Sequence, residues 1–237
     1  MYLFSPLDRH YDQGFGGVAD SFHDAASALR EQYHRSKING HLPICYLFRH
    51  TIELYLKGAI ILVHQGLKIP YGSEPHTGEP KIPVDGKPKS IYSIHDIDIL
   101  YKYLSNILVE NKVELDEVTN TNWKFPDDLD SKFERIKDID SSSGYFRYPK
   151  DKNTSTYEKE KSVFKKISLE KVMALAEKNK KPMKSMKVMT LVGQETQIFV
   201  HDDSFTEEAM NLLSDVAEII STCHFALMHE LGGGGLA

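Results

Sequence analysis

The sequence predicts a mainly α-helical protein, an antiparallel bundle of four or five helices with a small β-containing insertion. Apolar residues recur at helical spacing outside residues 151–203, most densely over residues 42–64. Lysine density rises within 151–203, and short β-like runs at 162–167, 187–192 and 196–200 accompany a helical pattern at 169–178. We therefore expect a single domain over 1–237, with 151–203 as an insertion or flap and 232–237 as a flexible tail.

The first half of the chain predicts three helices. The pattern of Phe22, Ala26 and Leu29 indicates a helix over about 20–37 that ends at Asn39-Gly40. Pro43 fits the first turn of a second helix that ends at Gly66. The Pro- and Gly-rich segment 66–90 predicts a long loop with a short hairpin around residues 84–87, and Ser93 is the predicted N-cap of the third helix.

Two further helices are predicted towards the C-terminus. One spans 127–139, after Pro126, and the other starts at Thr206-Glu207-Glu208 and continues to about Leu231. His224 and His229 lie five residues apart on this last helix, a poor spacing for a shared face, and we assign them no role. His201-Asp202-Asp203 has no partner set at ligand spacing and predicts a solvated turn rather than a metal site.

Composition restricts the class of function. A net charge of −5 gives no global basic field for nucleic acid, so RNA binding would need local clusters. The lysine-rich runs at 159–166 and 178–187 are more typical of solvated surface. Cys45 and Cys223 lie in apolar patterns and predict free thiols in a reducing compartment, so we expect a cytoplasmic protein. No motif indicates a cofactor or a metal, and the charges within 42–64 argue against a membrane span.

The second helix carries the strongest functional signal. On a helical wheel its charged and histidine side chains fall within an arc of about 100°, while the rest of the circumference is almost entirely apolar. We expect this arc to face solvent, a partner or a cleft. Its members are Arg49, His50, Glu53, Lys57 and His64. The alternative is an exposed ladder of ion pairs between Arg49, Glu53 and Lys57, which are spaced four residues apart.

Three pieces of sequence occur in an order that resembles the HEPN superfamily. They are the E-x-x-x-K pattern from Glu53 to Lys57, the His95-Asp96-Ile97 helix start, and Arg147-Tyr148-Pro149. The resemblance spans most of 20–150 and 204–230, and it implies an antiparallel helical bundle that often forms a homodimer. It also implies either a metal-independent RNase, often in toxin–antitoxin or antiphage systems, or a nucleotide-binding module without catalysis.

A metal-independent RNase needs a base for the 2′-hydroxyl, an acid for the leaving oxygen and a cation at the phosphate. The side chains that suit this chemistry are Arg49 and Arg147 on phosphate, His95 as acid or base, and Glu53 in support. Candidate ligand-binding residues are Lys57, His50 and Tyr148. The leading expectation is an endoribonuclease or RNase-like effector acting on RNA, with a possible antitoxin or defence-system partner.

Two alternatives remain open at this point. Nuclease members of the superfamily carry an Arg and a His separated by four to six residues near the start of a late helix, and no His follows Arg147 at that spacing. This departure favours a non-catalytic module that binds a nucleotide or a partner through the same arc. In a purely structural bundle, the arc of the second helix would be one half of a dimer interface.

Overall fold

The chain folds into helices and two small sheets in a computed structural model that describes residues 6–33, 40–140, 144, 146, 164–178, 185–189, 196–201 and 203–232. It divides into two compact units, Met1–Pro149 with Met210–Ala237, and Lys150–Ala209. The helices are α1 (Phe15–Glu31), α2 (His41–Gly66), α3 (Ile97–Glu110), α4 (Lys112–Val118), α5 (Leu129–Ile139), α6 (Leu169–Lys178) and α7 (Asp203–Leu231). The mainly helical prediction is confirmed.

Helix α2 is the centre of the first unit. Every residue from Thr51 to His64 is buried, so the helix is enclosed around its whole circumference over nearly four turns. α1 and α3 pack against it, and the apolar positions of α3 close one side of the core. Because α2 is enclosed, any polar side chain on it must find its partners inside the protein. None of the described helices is both long enough and apolar enough to cross a bilayer.

Helix α1 starts five residues earlier than predicted, at Phe15, and ends earlier, at Glu31. The reason is local capping by Asp12. Its carboxylate oxygens accept hydrogen bonds from the backbone N–H groups of Gly14 (3.0 Å) and Gly16 (2.6 Å). These bonds satisfy donors that a helix start otherwise leaves unpaired. The predicted end at Asn39-Gly40 was wrong, because α1 already ends at Glu31, with Gln32 as its C-cap residue.

The loop after α2 contains the predicted hairpin. β1 (Lys81–Val84) pairs antiparallel with β2 (Lys87–Ser90), and Asp85 and Gly86 both have positive φ angles, 51° and 75°. Two successive residues with positive φ form the tight turn that matches the twist of paired strands. A short 3₁₀ turn at Ile91–Ser93 then leads towards α3.

The N-cap of α3 is Asp96, and the prediction of Ser93 was wrong. The Asp96 side chain accepts from the backbone N–H groups of Asp98 (2.9 Å) and Ile99 (3.3 Å). The Ser93 hydroxyl instead donates to the carbonyl of Ser90 within the 3₁₀ turn. This shift leaves His95 just outside the helix, immediately before the cap.

We expect Asp96→Ala to lower the free energy of unfolding by about 1 kcal/mol, because α3 loses the acceptor for two backbone donors. Ser93→Ala removes only a hydroxyl bond within an exposed turn and should change stability by less than about 0.5 kcal/mol. Urea unfolding of both variants measures the difference. Equal losses in the two variants would contradict the assignment of the cap.

The remaining helices of the first unit cover the other sides of the core. α4 was not predicted, since its seven residues bury only Leu115. α5 begins at Leu129 rather than 127 and buries Leu129, Phe133, Ile136 and Ile139 at helical spacing. The Phe133 ring stacks on Tyr101 of α3 at 4.0 Å. α7 begins at Asp203, three residues before the predicted start.

The second unit contains the β structure predicted for the insertion. β3 (Phe164–Ile167), β5 (Thr196–His201) and β4 (Ser185–Met189) form an antiparallel sheet in the order β3-β5-β4, and α6 follows β3 in the chain. The β-containing character of this region is confirmed. The predicted runs at 162–163 and 190–192 and the tail beyond Gly232 lie outside the described residues. The single-domain organisation stays a prediction.

A buried carboxylate–imidazole pair joins the start of α1 to α7. His224 Nε2 lies 3.0 Å from Asp12 Oδ2, and the residues are 4% and 0% exposed. Burial acts to raise the pKa of the Asp12 carboxyl, but the hydrogen bond and charge of His224 and the N–H groups of Gly16 and Gly14 outweigh it, so the pKa is lowered. His224 therefore has a structural partner that helical spacing alone did not indicate.

Gly58 of α2 makes the space for the His224 ring. A Cβ at this position would lie 2.8 Å from His224 Nε2. In an ordinary helix interior, Gly→Ala stabilises by about 1 kcal/mol. Here we expect Gly58→Ala to destabilise the protein by about 1–3 kcal/mol, because the added methyl overpacks the pair.

Thermal unfolding of Gly58→Ala, alone and combined with His224→Ala, measures this effect. The glycine substitution should cost less in the double variant than in the wild-type background, because the ring it strikes is gone. A rise in Tm for Gly58→Ala alone would contradict the close approach.

Candidate functional site

The polar arc of α2 is buried, and the prediction that it faces solvent, a partner or a cleft was wrong for Arg49, Glu53 and Lys57, whereas His64 borders a cavity described below. Arg49, Glu53, Lys57 and His64 are 4%, 1%, 3% and 1% exposed. Segments of the same unit cover the arc, so a second copy of the chain is not needed to bury it. The ion pairs expected between neighbouring turns do form, but in the interior rather than on an exposed face.

Glu53 is the centre of this arrangement. Its Oε1 atom accepts hydrogen bonds from Lys57 Nζ and from His95 Nδ1, both at 2.9 Å. Its Oε2 atom lies 3.5 Å from an Nη1 nitrogen of Arg49. One buried carboxylate thus holds two cations of its own helix and the imidazole that precedes α3.

Arg49 connects Glu53 to two other segments. Its Nε lies 2.8 Å from Asp140 Oδ2, at the end of α5, and its Nη2 donates to the backbone carbonyl of His95 at 2.8 Å. Asp140 is 6% exposed. The two carboxylates balance the charges of Arg49 and Lys57, as burial of charged groups requires. We call Arg49, Glu53, Lys57, His95 and Asp140 the Glu53 cluster.

His95 is the member of the Glu53 cluster that reaches solvent. Its side chain is 53% exposed, whereas the Glu53 side chain that it contacts is 1% exposed. Both ends of the residue are held, because Arg49 binds its backbone carbonyl and Glu53 binds its Nδ1 atom. The result is a solvent-accessible imidazole whose orientation is fixed from inside the protein.

The electrostatics of the Glu53 cluster keep Glu53 ionised. Burial acts to raise the pKa of its carboxyl, but the hydrogen bonds and charges of Lys57 and His95 outweigh this effect, so the pKa is lowered. An ionised carboxylate bound to Nδ1 requires that nitrogen to carry the proton. In neutral His95, the other ring nitrogen, Nε2, is then the proton acceptor.

The structure brings together Arg49, Glu53, Lys57 and His95, four of the seven residues selected from the sequence. His50 packs edge-to-face on Phe22 of α1, with ring centroids 4.7 Å apart. Arg147 and Tyr148 lie outside the described residues, so the predicted meeting of Arg147 with Arg49 and His95 stays a prediction.

Comparisons with protein-family models, with curated proteins and with solved structures were made for the whole chain. None of the three finds a match.

Asp140 is the member of the cluster that sequence reasoning missed. It stands among 34 acidic residues, and nothing in its local pattern separates it from the other carboxylates. Asp140 is recognised only in the three-dimensional structure, because the packing of α5 brings it to Arg49. Among the described residues, no group of three or more His, Cys, Asp or Glu side chains is arranged to hold a metal ion.

Proposed function

We propose that this chain is a metal-independent endoribonuclease in which His95 transfers the proton. The observation that carries the proposal is a half-exposed imidazole bonded through Nδ1 to a buried, ionised carboxylate. Histidine is the usual proton-transfer residue of enzymes, and a carboxylate on Nδ1 fixes the tautomer in which Nε2 accepts the proton. Glu53 supplies that carboxylate.

The reaction needs few groups because RNA carries its own nucleophile. Nε2 of His95 takes the proton of the 2′-hydroxyl, and the 2′-oxygen attacks the adjacent phosphorus. The bond to the 5′-oxygen breaks, and that oxygen takes a proton from solvent. The products are a 2′,3′-cyclic phosphate and a free 5′-hydroxyl.

The buried members of the Glu53 cluster act as positioning residues in this proposal. Arg49 and Lys57 are committed to Glu53, Asp140 and the His95 carbonyl, so their charges orient Glu53 and His95 rather than contact RNA directly. The proposed cation for the scissile phosphate is Arg147, since arginine binds phosphate in a bidentate manner and stabilises developing charge.

The proposal includes a HEPN-like bundle acting in the cytoplasm, with a homodimer as the expected assembly. Its support is the sequence order of Glu53-x-x-x-Lys57, His95-Asp96-Ile97 and Arg147-Tyr148-Pro149, together with the contact that joins the first two pieces. A role as an effector in defence, or with an antitoxin partner, follows from the same resemblance.

A non-catalytic module is the second candidate function. The burial of Arg49 and Lys57 favours it, because these cations are already satisfied by carboxylates of the protein. In this case the Glu53 cluster would fix the fold, and Arg147 and Tyr148 would bind a nucleotide without cleaving it.

The test is cleavage of end-labelled RNA by the purified protein in EDTA. We expect products with 2′,3′-cyclic phosphate ends and no cleavage at a nucleotide whose 2′-hydroxyl is replaced by hydrogen. Nucleotide binding with no cleavage of any RNA would establish the non-catalytic module instead. Cleavage of the 2′-deoxy substrate would contradict the mechanism.

A further inference from the structure

A second polar site lies at the far end of α2, about 16 Å along the helix axis from Glu53. A cavity of about 760 Å³ that opens to solvent is lined by the end of α2, the loop that follows it, the β1–β2 hairpin and one face of α3. Its polar lining includes Tyr71, Glu74, Lys81, Tyr103, Asn106 and Glu110. The proposed nuclease function uses none of these residues.

The direction of the hydrogen bonds around His64 determines what one wall of the cavity offers. His64 Nδ1 lies 2.9 Å from the carbonyl oxygen of Ile69, which can only accept, so Nδ1 carries a proton. Burial lowers the pKa of His64, which keeps the ring neutral and makes Nε2 an acceptor. The Tyr103 hydroxyl, 2.9 Å from Nε2, must therefore donate to it. Its oxygen is left with lone pairs only.

Tyr71 supplies a second unmatched oxygen. Its ring stacks on His64 with centroids 4.0 Å apart, and the residue is 3% exposed. The hydroxyl has no hydrogen-bond partner among the described residues. A buried hydroxyl without a partner costs free energy that a bound molecule would recover.

The charged residues that line the cavity are mainly acidic. Glu74 and Glu110 contribute two carboxylates, whereas Lys81 is the single lysine or arginine among the described residues that line the cavity. Lys81 Nζ already lies 3.0 Å from Glu79 and 3.5 Å from Glu74. The cavity therefore disfavours phosphates and carboxylates, and it suits a ligand that donates hydrogen bonds and carries positive charge.

We propose that this cavity binds a small organic cation, an ammonium or guanidinium group, which donates hydrogen bonds to Tyr71, Tyr103 and the carboxylates of Glu74 and Glu110. Such a group has two sources, a free aliphatic diamine or an arginine side chain of a peptide.

Isothermal titration of the full chain without RNA tests the site independently of the nuclease proposal. The probes are 1,4-diaminobutane, N-acetyl-arginine-methylamide and its neutral isostere, N-acetyl-citrulline-methylamide. We expect saturable binding of at least one cation and at least tenfold weaker binding of the citrulline compound. The tighter of the two cations identifies the source.

Three variants separate this cavity from non-specific charge attraction. Tyr71→Phe and Glu110→Gln should each weaken binding of the cation at least tenfold, whereas Glu114→Gln, on the exposed surface of α4, should leave it unchanged. The Tm of Tyr71→Phe should not fall, because the hydroxyl it removes has no hydrogen-bond partner in the described part of the chain. Absence of binding by both cations, equal binding of the citrulline compound, or equal losses in Glu110→Gln and Glu114→Gln would overturn the proposal.

Discussion

Glu53→Ala is expected to lower the free energy of unfolding by about 3–5 kcal/mol. The substitution removes the carboxylate that holds Lys57 Nζ and His95 Nδ1 at 2.9 Å, and it leaves Lys57, 3% exposed, as a buried cation without that partner. Denaturant unfolding measures the loss.

Asp116→Ala is the matched control for Glu53→Ala. Asp116 also pairs with a lysine four residues away on its own helix, Lys112, but the two side chains are 50% and 61% exposed. Removal of an exposed pair of this kind should cost less than about 1 kcal/mol. Similar losses in the two variants would show that the Glu53 cluster is not a buried, coupled unit.

The stability supplied by Glu53 should also depend on pH. Because the pKa of its carboxyl is lowered in the folded protein, the contribution is present above the ordinary glutamate pKa of about 4.3 and is lost as the pH falls through the folded value. The difference in unfolding free energy between wild type and Glu53→Ala should therefore narrow below about pH 4.

His95→Ala is expected to reduce the single-turnover rate of RNA cleavage by about 10²–10⁴-fold, the usual contribution of a positioned acid or base. The fold should survive, because the His95 side chain is 53% exposed and lies outside α3. Circular dichroism and Tm confirm folding of the variant before its rate is measured.

His23→Ala controls for the general effect of losing a histidine beside a carboxylate. His23 Nε2 lies 3.6 Å from Glu218 Oε2, but the Glu218 side chain is 72% exposed, whereas the Glu53 side chain is 1% exposed and also binds Lys57. Its cleavage rate should match wild type. A His95→Ala variant that cleaves as fast as His23→Ala would remove His95 from the mechanism.

Local sequence patterns were sufficient for most of the helical elements. In α2, α3 and α5 the apolar residues that face the core recur at helical spacing. Each of these helices could therefore be predicted from its own segment of sequence. The hairpin turn was predictable because Asp85-Gly86 tolerates positive φ. The predicted helix boundaries were wrong where side-chain capping determines them, as at Asp12 and Asp96. Several nearby Asp and Ser residues could have capped the same helix, and the sequence does not distinguish them.

The candidate site was predictable only in part, for a physical reason. Arg49, Glu53 and Lys57 share one helix, and their common face is fixed by helix geometry. The pairing of Glu53 with His95 joins residues 42 positions apart, and that of His224 with Asp12 joins residues 212 positions apart. Burial of the arc was also unpredictable, because it depends on the segments around His95 and Asp140 that cover α2.

Rescue of His95→Ala by free imidazole tests the central claim most directly. Loss of a half-exposed ring leaves a space that solvent, and therefore imidazole, can enter. If His95 transfers the proton, added imidazole should restore cleavage by the variant in proportion to its concentration and leave the wild-type rate unchanged. Wild-type protein that cleaves RNA beside a variant that imidazole does not rescue would contradict proton transfer by His95.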